Sequence, residues 1–141
     1  MAADCLMCRL AGVRDGDTFV ARLSASTVLL DVDQRYRGKT VIVTREHVTD
    51  LLEMPEARAL ELYADVRNVA RATRLALAPA RLNYALLGNQ EPHVHWHVIP
   101  RFPGDDGWGG APRFEPPPTR LDPAAYRELA RRLSAAIGES A

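Results

Sequence analysis

Aromatic side chains are scarce in this chain, at 6% of 141 residues, and cysteine is scarcer, with two in all. Two cysteines cannot build the disulfide framework of a small secreted domain. No apolar run approaches the ~18 residues of a membrane-spanning helix. An excess of one charge is also missing, since 18 basic and 18 acidic residues cancel. Nothing therefore marks a nucleic-acid duplex-binding surface or a polybasic membrane patch. The run Met1-Ala2-Ala3-Asp4-Cys5 lacks the basic and apolar regions of a secretion signal, so a cytoplasmic location is expected. Internal repeats and low-complexity tracts are absent, and the one long irregular stretch is rich in Pro and Gly, from Pro103 to Pro118. What is present, 47% hydrophobic residues over this length, suffices for a real core. A single domain over residues 1–141 is expected.

Three of the four histidines fall in one short run, His93-Val94-His95-Trp96-His97, followed by Val98-Ile99-Pro100. In an extended strand the side chains at i, i+2 and i+4 point to one face. The run thus predicts a row of three imidazoles, with Val94, Trp96 and Val98 turned to the core. Packing alone explains such a row poorly, because burying it leaves several ring nitrogens to satisfy. Imidazole is the side chain that serves as acid, base or nucleophile near neutral pH. A His-x-His pair can also chelate a metal. The outer rings, His93 and His97, would stand about 13 Å apart, too far to share one ion. At most two of the three can ligate the same metal, so at least one has another task. The cysteine pair, Cys5-Leu6-Met7-Cys8, reads as metal-binding or redox-active rather than as a structural disulfide.

The remaining pattern is α+β. Strands are predicted over Thr18–Leu23, Thr27–Val32, Thr40–Thr44 and Leu82–Leu87, the third being β-branched almost throughout. Apolar residues at three- and four-residue spacing, including Leu60, Tyr63, Val66 and Val69, predict a long helix over Thr49–Leu77. Pro55 suits its first turn and Pro79 ends it. A few turn residues separate the Leu82–Leu87 strand from the histidine strand, which suggests an antiparallel pair. Asp122-Pro123 starts a C-terminal helix whose apolar stripe is Tyr126, Leu129, Ala130, Leu133 and Ile137. The expected architecture is a mostly antiparallel sheet of about five strands with one long central helix and a C-terminal helix.

At this point the residues resemble the histidine triad superfamily, whose signature is three histidines alternating with apolar residues. The run from His93 to Ile99 fits it at every position. The N-terminal Cys-x-x-Cys, the strand ending in Asp31, the turn Arg37-Gly38, the segment Arg45-Glu46-His47 and the Asn83 strand follow in family order, over roughly residues 4 to 102. The run Leu82-Asn83-Tyr84 through Leu87-Gly88-Asn89, with Trp96, resembles the bacterial branch grouped with diadenosine polyphosphate hydrolases. The resemblance implies a hydrolase or transferase acting at the α-phosphate of a nucleotide, either a dinucleoside polyphosphate or a nucleoside phosphoramidate. His95 would be the nucleophile of a covalent nucleotidyl-histidine intermediate, and His97 would contact the phosphate and leaving group. Asp31 would meet ribose hydroxyls, and Asn83, Asn89 and Gln90 the phosphates. Met7, Leu10, Leu29 and Val32 would form the apolar base pocket.

The resemblance also implies a structural zinc held by Cys5, Cys8, His47 and His93, a closed tetrahedral set that leaves His95 and His97 for chemistry. It further implies a homodimer through the long helix and a sheet edge. One position departs: where many members carry a further histidine, this chain has Lys39. Rival readings are a metal on His95 and His97, though Glu91 in the preceding turn offers no obvious third ligand, and a non-catalytic nucleotide-binding module. Trp108, among glycines, suits either closure over a ligand or anchoring of its loop.

Overall fold

In the computed structural model, residues 4–140 are described; the reading of Met1, Ala2 and Ala3 as a non-secretory start falls outside them. The elements run α1 (Leu6–Ala11), β1 (Phe19–Arg22), β2 (Ser26–Leu30), β3 (Thr40–Thr44), a 3-10 turn (Leu51–Glu53), α2 (Glu56–Leu77), β4 (Arg81–Leu86), β5 (His95–Arg101) and α3 (Pro123–Ser140). The strands form one sheet in the order β1-β2-β3-β5-β4, and every neighbouring pair is antiparallel. The α+β, five-stranded expectation holds. Among the described residues no helix is long and apolar enough to cross a membrane.

β2 and β3 are buried at every position, which means that both faces of the sheet centre are covered. On one face, Val28, Leu30, Ile42, Val94 and Val98 pack with Leu62, Val66 and Val69 of α2 and with Leu129 and Leu133 of α3. On the other, Leu29, Val41 and Val43 pack beneath Cys5, Met7, Cys8 and Ala11 at α1. Trp96 packs against the first core, so the alternation along β5 divides as its sequence requires, aliphatic and indole groups one way, imidazoles the other.

Three differences from the sequence reading have local causes. The helix expected over Thr49–Leu77 divides into the 3-10 turn and α2, because Pro55 takes an extended ψ of 140° as N-cap rather than entering the first turn. The histidine strand begins at His95, and His93 precedes it with its ring turned to the cysteines. The helix α1 is an addition: Cys5 caps it by accepting the backbone N–H of Cys8 on its sulfur.

Candidate active site

His95 and His97 lie two apart on β5, and their side chains share the face that α1 only partly covers. Opposite them on β3, Val43 pairs with His95 and Val41 with His97, so aliphatic neighbours hold the rings from the side. The rings pack edge to face with centroids 5.2 Å apart. Nδ1 of His95 lies 2.6 Å from the His93 carbonyl. A carbonyl can only accept, so Nδ1 carries the proton and Nε2 keeps its lone pair. Burial pushes the His95 pKa down, the His97 ring adds to that, and the His93 carbonyl partly offsets both. The neutral form, which is the nucleophilic one, is favoured at pH 7.

These rings open on a cavity of about 580 Å³ lined by Met7, Asp31, Asp33, Lys39, residues 87–91, His95, His97 and residues 114–116. Asn89 and Gln90 are therefore gathered with the histidines around one cavity. Asn83 is not among them. Its Oδ1 accepts from Arg101 Nη1 at 2.9 Å, so the side chain serves the guanidinium two strand positions away. Of the four residues expected to form a base pocket, Met7 alone lines the cavity. Leu29 is sealed beneath α1 and Leu10 packs against the same cluster, while Val32 is 48% exposed. Strand and helix periodicity places Leu29 and Leu10 in that packing, and Val32 lies beyond the end of β2.

The segment after β5 supplies a wall that sequence reasoning missed. Arg101 is buried and donates to both carboxylate oxygens of Asp105, at 2.8 and 2.9 Å, and to the Gly110 carbonyl at 2.8 Å. Its guanidinium stacks on Tyr36, 4.7 Å from the ring centroid. Tyr36 Oη donates to the Asp106 carbonyl and accepts the Arg113 N–H, and Arg35 donates to the carbonyls of Glu115 and Pro117. This pinning sets Phe114 against Lys39 and His97. Trp108, by contrast, is not at the cavity: it lies over the Arg101 guanidinium at the end of β5, 6.0 Å from ring centroid to guanidinium carbon, and is 46% exposed, and Phe114 is the aromatic residue at the cavity. Only an aromatic side chain within a Pro-rich stretch signalled this.

On the far side of His93 lies a second cluster. The ligand atoms of Cys5, Cys8, His47 and His93 all fall within 4.8 Å of one another. Cys8 Sγ stands 3.2 Å from His47 Nδ1, and Cys5 and Cys8 Sγ stand 3.4 and 3.5 Å from His93 Nδ1. A tetrahedral zinc with ordinary Zn–S and Zn–N bonds has S–N edges of roughly 3.5 Å. Nε2 of His93 lies 2.9 Å from the Thr44 carbonyl, which makes it the protonated nitrogen and leaves the Nδ1 lone pair facing the sulfurs. The donor set and its tautomer fit zinc. The described residues gather no comparable set of ligands at His95 and His97.

Several known proteins are similar. A histidine triad protein from Bradyrhizobium japonicum superposes with a TM-score of 0.78 at 27% identity, covering 86% of this chain and 91% of that one. A zinc-bound histidine triad family protein from Mycobacterium smegmatis superposes at 0.71 with 24% identity, covering 96% and 94%. An adenosine 5'-monophosphoramidase from Schizosaccharomyces pombe is 23% identical over 141 residues, 94% of this chain and 98% of that protein. The HIT domain model matches residues 15–104, a span that holds the three histidines and the strands presenting them, and the chain belongs to the HIT domain family.

Proposed function

We propose that this protein is a nucleotidyl hydrolase or transferase in which His95 attacks the α-phosphorus of a nucleotide and forms a covalent nucleotidyl-histidine. One observation carries this reading: the His95 ring is held by the His93 carbonyl with its unprotonated nitrogen available beside a cavity that also receives His97, Asn89 and Gln90. Membership of the HIT domain family supports nucleotide hydrolase or transferase activity, and the phosphoramidase relative, though distant, supports phosphoramidates as one substrate class beside dinucleoside polyphosphates. Attack forms the Nε2–P bond and expels the oxygen or nitrogen leaving group, which takes a proton from His97. Water then gives a proton to His97 and breaks the P–N bond, restoring both rings. Splitting one difficult displacement into two easier steps is the gain from covalent catalysis. Asn89 and Gln90 can donate to phosphate oxygens without adding charge.

The experiment is incubation with adenosine 5'-phosphoramidate and diadenosine tetraphosphate, followed by mass spectrometry of the intact protein. An adenylyl adduct on His95, and turnover lowered at least ~10⁴-fold in His95→Ala, are expected. Unimpaired turnover in that variant refutes the reading.

Zinc at Cys5, Cys8, His47 and His93 belongs to the same proposal as a stabilising group; it would tie the segment preceding and including α1 to β3 and β5. The proposal also includes a twofold pairing through α2 and the open edge of β4, supported by the exposure there of Leu60, Tyr63 and Tyr84. Light scattering distinguishes one chain of 15.6 kDa from twice that mass, and a single-chain mass at micromolar concentration would exclude the pairing.

A further inference from the structure

Four carboxylates line the cavity, Asp31, Asp33, Glu91 and Glu115, against one cation, Lys39. Three of them have partners. Asp31 lies 3.1 Å from Lys39 Nζ and accepts the Asp33 N–H. Asp33 Oδ1 accepts the N–H groups of Arg35 and Thr119, and Glu115 lies 3.7 Å from the Arg35 guanidinium. Glu91 differs. Among the described residues its carboxylate has neither a hydrogen bond nor an ion pair, although the residue is half-buried and its charge acts on the His95 ring. A carboxylate partly withdrawn from water without a counter-charge gains most from a cation brought to it.

The backbone fixes where Glu91 stands. Pro92 restricts it to extended conformations, and its carbonyl accepts the His93 N–H at 2.8 Å, a turn that a central proline suits. His93 is tied through Nε2 to the Thr44 carbonyl, and the Thr44 N–H donates to the Val94 carbonyl. The turn therefore sits at the Thr44 end of β3. Asp31 stands at the other end, since it follows Leu30 of β2, which pairs with Thr40. Thr40 and Thr44 are separated by about 13 Å of strand rise. His95, opposite Val43, and His97, opposite Val41, lie between them. A nucleoside whose ribose meets Asp31 fills the Thr40 end of the cavity. The group that leaves phosphorus then extends past Asn89 and Gln90 towards Glu91.

We infer that Glu91 reads the leaving group, and that the site prefers nucleotide phosphoramidates whose departing amine carries a second, protonated nitrogen over donors whose leaving group is a phosphate chain. The inference rests on the covalent reading above and narrows its substrate class. The His95 Nε2–P bond forms, the P–N bond breaks, and His97 supplies the proton to the departing nitrogen. The distal ammonium keeps its own proton throughout and pairs with Glu91. A phosphate chain in the same place meets an unneutralised carboxylate. The one cation lining the cavity, Lys39, is 3% exposed and sits beside Asp31, so nothing at the Glu91 end offsets the repulsion of like charges.

The test compares two adenosine 5'-phosphoramidates of equal length, one of 1,3-diaminopropane, which ends in an ammonium, and one of n-butylamine, which ends in a methyl group. The unaltered protein is expected to favour the diamine compound at least ~10-fold in kcat/KM. In Glu91→Gln that ratio is expected to fall below about twofold, and in Glu91→Asp, which keeps the charge, to stay above about fivefold. Equal rates on the two compounds in the unaltered protein, or a preference that survives in Glu91→Gln, overturn the inference. A preference lost equally in both variants overturns it too, because charge is then not the cause. A variant that folds poorly lowers both rates alike and leaves the ratio readable. Relative to the butylamine compound, diadenosine tetraphosphate is expected to gain about tenfold in kcat/KM in Glu91→Gln; no gain overturns the discrimination against phosphate chains. Absence of a His95 adduct together with absence of turnover in the unaltered protein overturns the covalent reading and this inference with it. A His95 adduct with equal rates on the two phosphoramidates overturns this inference alone.

Discussion

Burial raises the pKa of Asp31, but the facing His97 ring, the Lys39 ammonium and the Asp33 N–H more than offset it and hold the group at about 2. An Asp in an unfolded chain titrates near 3.9. The stabilisation is therefore complete above about pH 4 and is lost as the pH falls through about 2. With the side chain 15% exposed, it amounts to about 2 kcal/mol. Asp31→Asn is expected to lower stability by that amount at pH 6, and its deficit relative to the unaltered protein should shrink towards zero by pH 2 in urea titrations. A deficit that does not change with pH would disprove the linkage. At this scale the three histidines were legible because alternation is a local property of a strand. Lys39 stood out as a departure and Asp31 as a site residue, but their ion pair did not, since nothing in residue spacing pairs positions eight apart across a turn.

That turn depends on Gly38, whose φ of +96° lies in the region L side chains avoid. An added Cβ would also come within 2.2 Å of Leu77 Cδ1 at the end of α2. Helix and turn are thus packed to contact, and the contact holds the backbone that leads Lys39 into β3. Gly38→Ala is expected to cost about 3 kcal/mol from strain and overpacking together, lowering the melting temperature by roughly 10 °C. An unchanged melting temperature would refute this packing. Most elements were legible from their periods: β3 has the expected bounds, and the strands before and after it shift by one or two residues. α1 was not, because six residues are too few to display a helical period, and its reason for forming lies in the Cys5 cap and the sheet beneath. The division at Pro55 was also hidden, since a proline suits an N-cap and a first turn equally well.

In the molecule as a whole the sheet has unequal coverings. α2 and α3 seal one face, while α1 and the pinned segment after β5 cover parts of the other and leave the cavity between them. Zinc at the Cys–His cluster would fasten α1, and with it Met7, to the sheet. Treatment with a strong chelator is expected to lower the melting temperature by roughly 10 °C, reversed by added zinc, while the His95 adduct still forms at 25 °C. A melting curve indifferent to chelator, with no zinc found by elemental analysis, would remove the metal from this account.

The sequence by itself determined which side chains alternate along β5 and where the five strands and the two long helices form, because each follows from local periodicity; the four residues that suit a zinc ion came from the family resemblance. Only the tertiary structure decided that Asn83 serves Arg101, that Leu29 is sealed in the interior, that Phe114 forms the cavity wall, and that Asp31 stands between Lys39 and His97. Those facts depend on how separate segments meet across the sheet, and no interaction between neighbours along the chain encodes such a meeting.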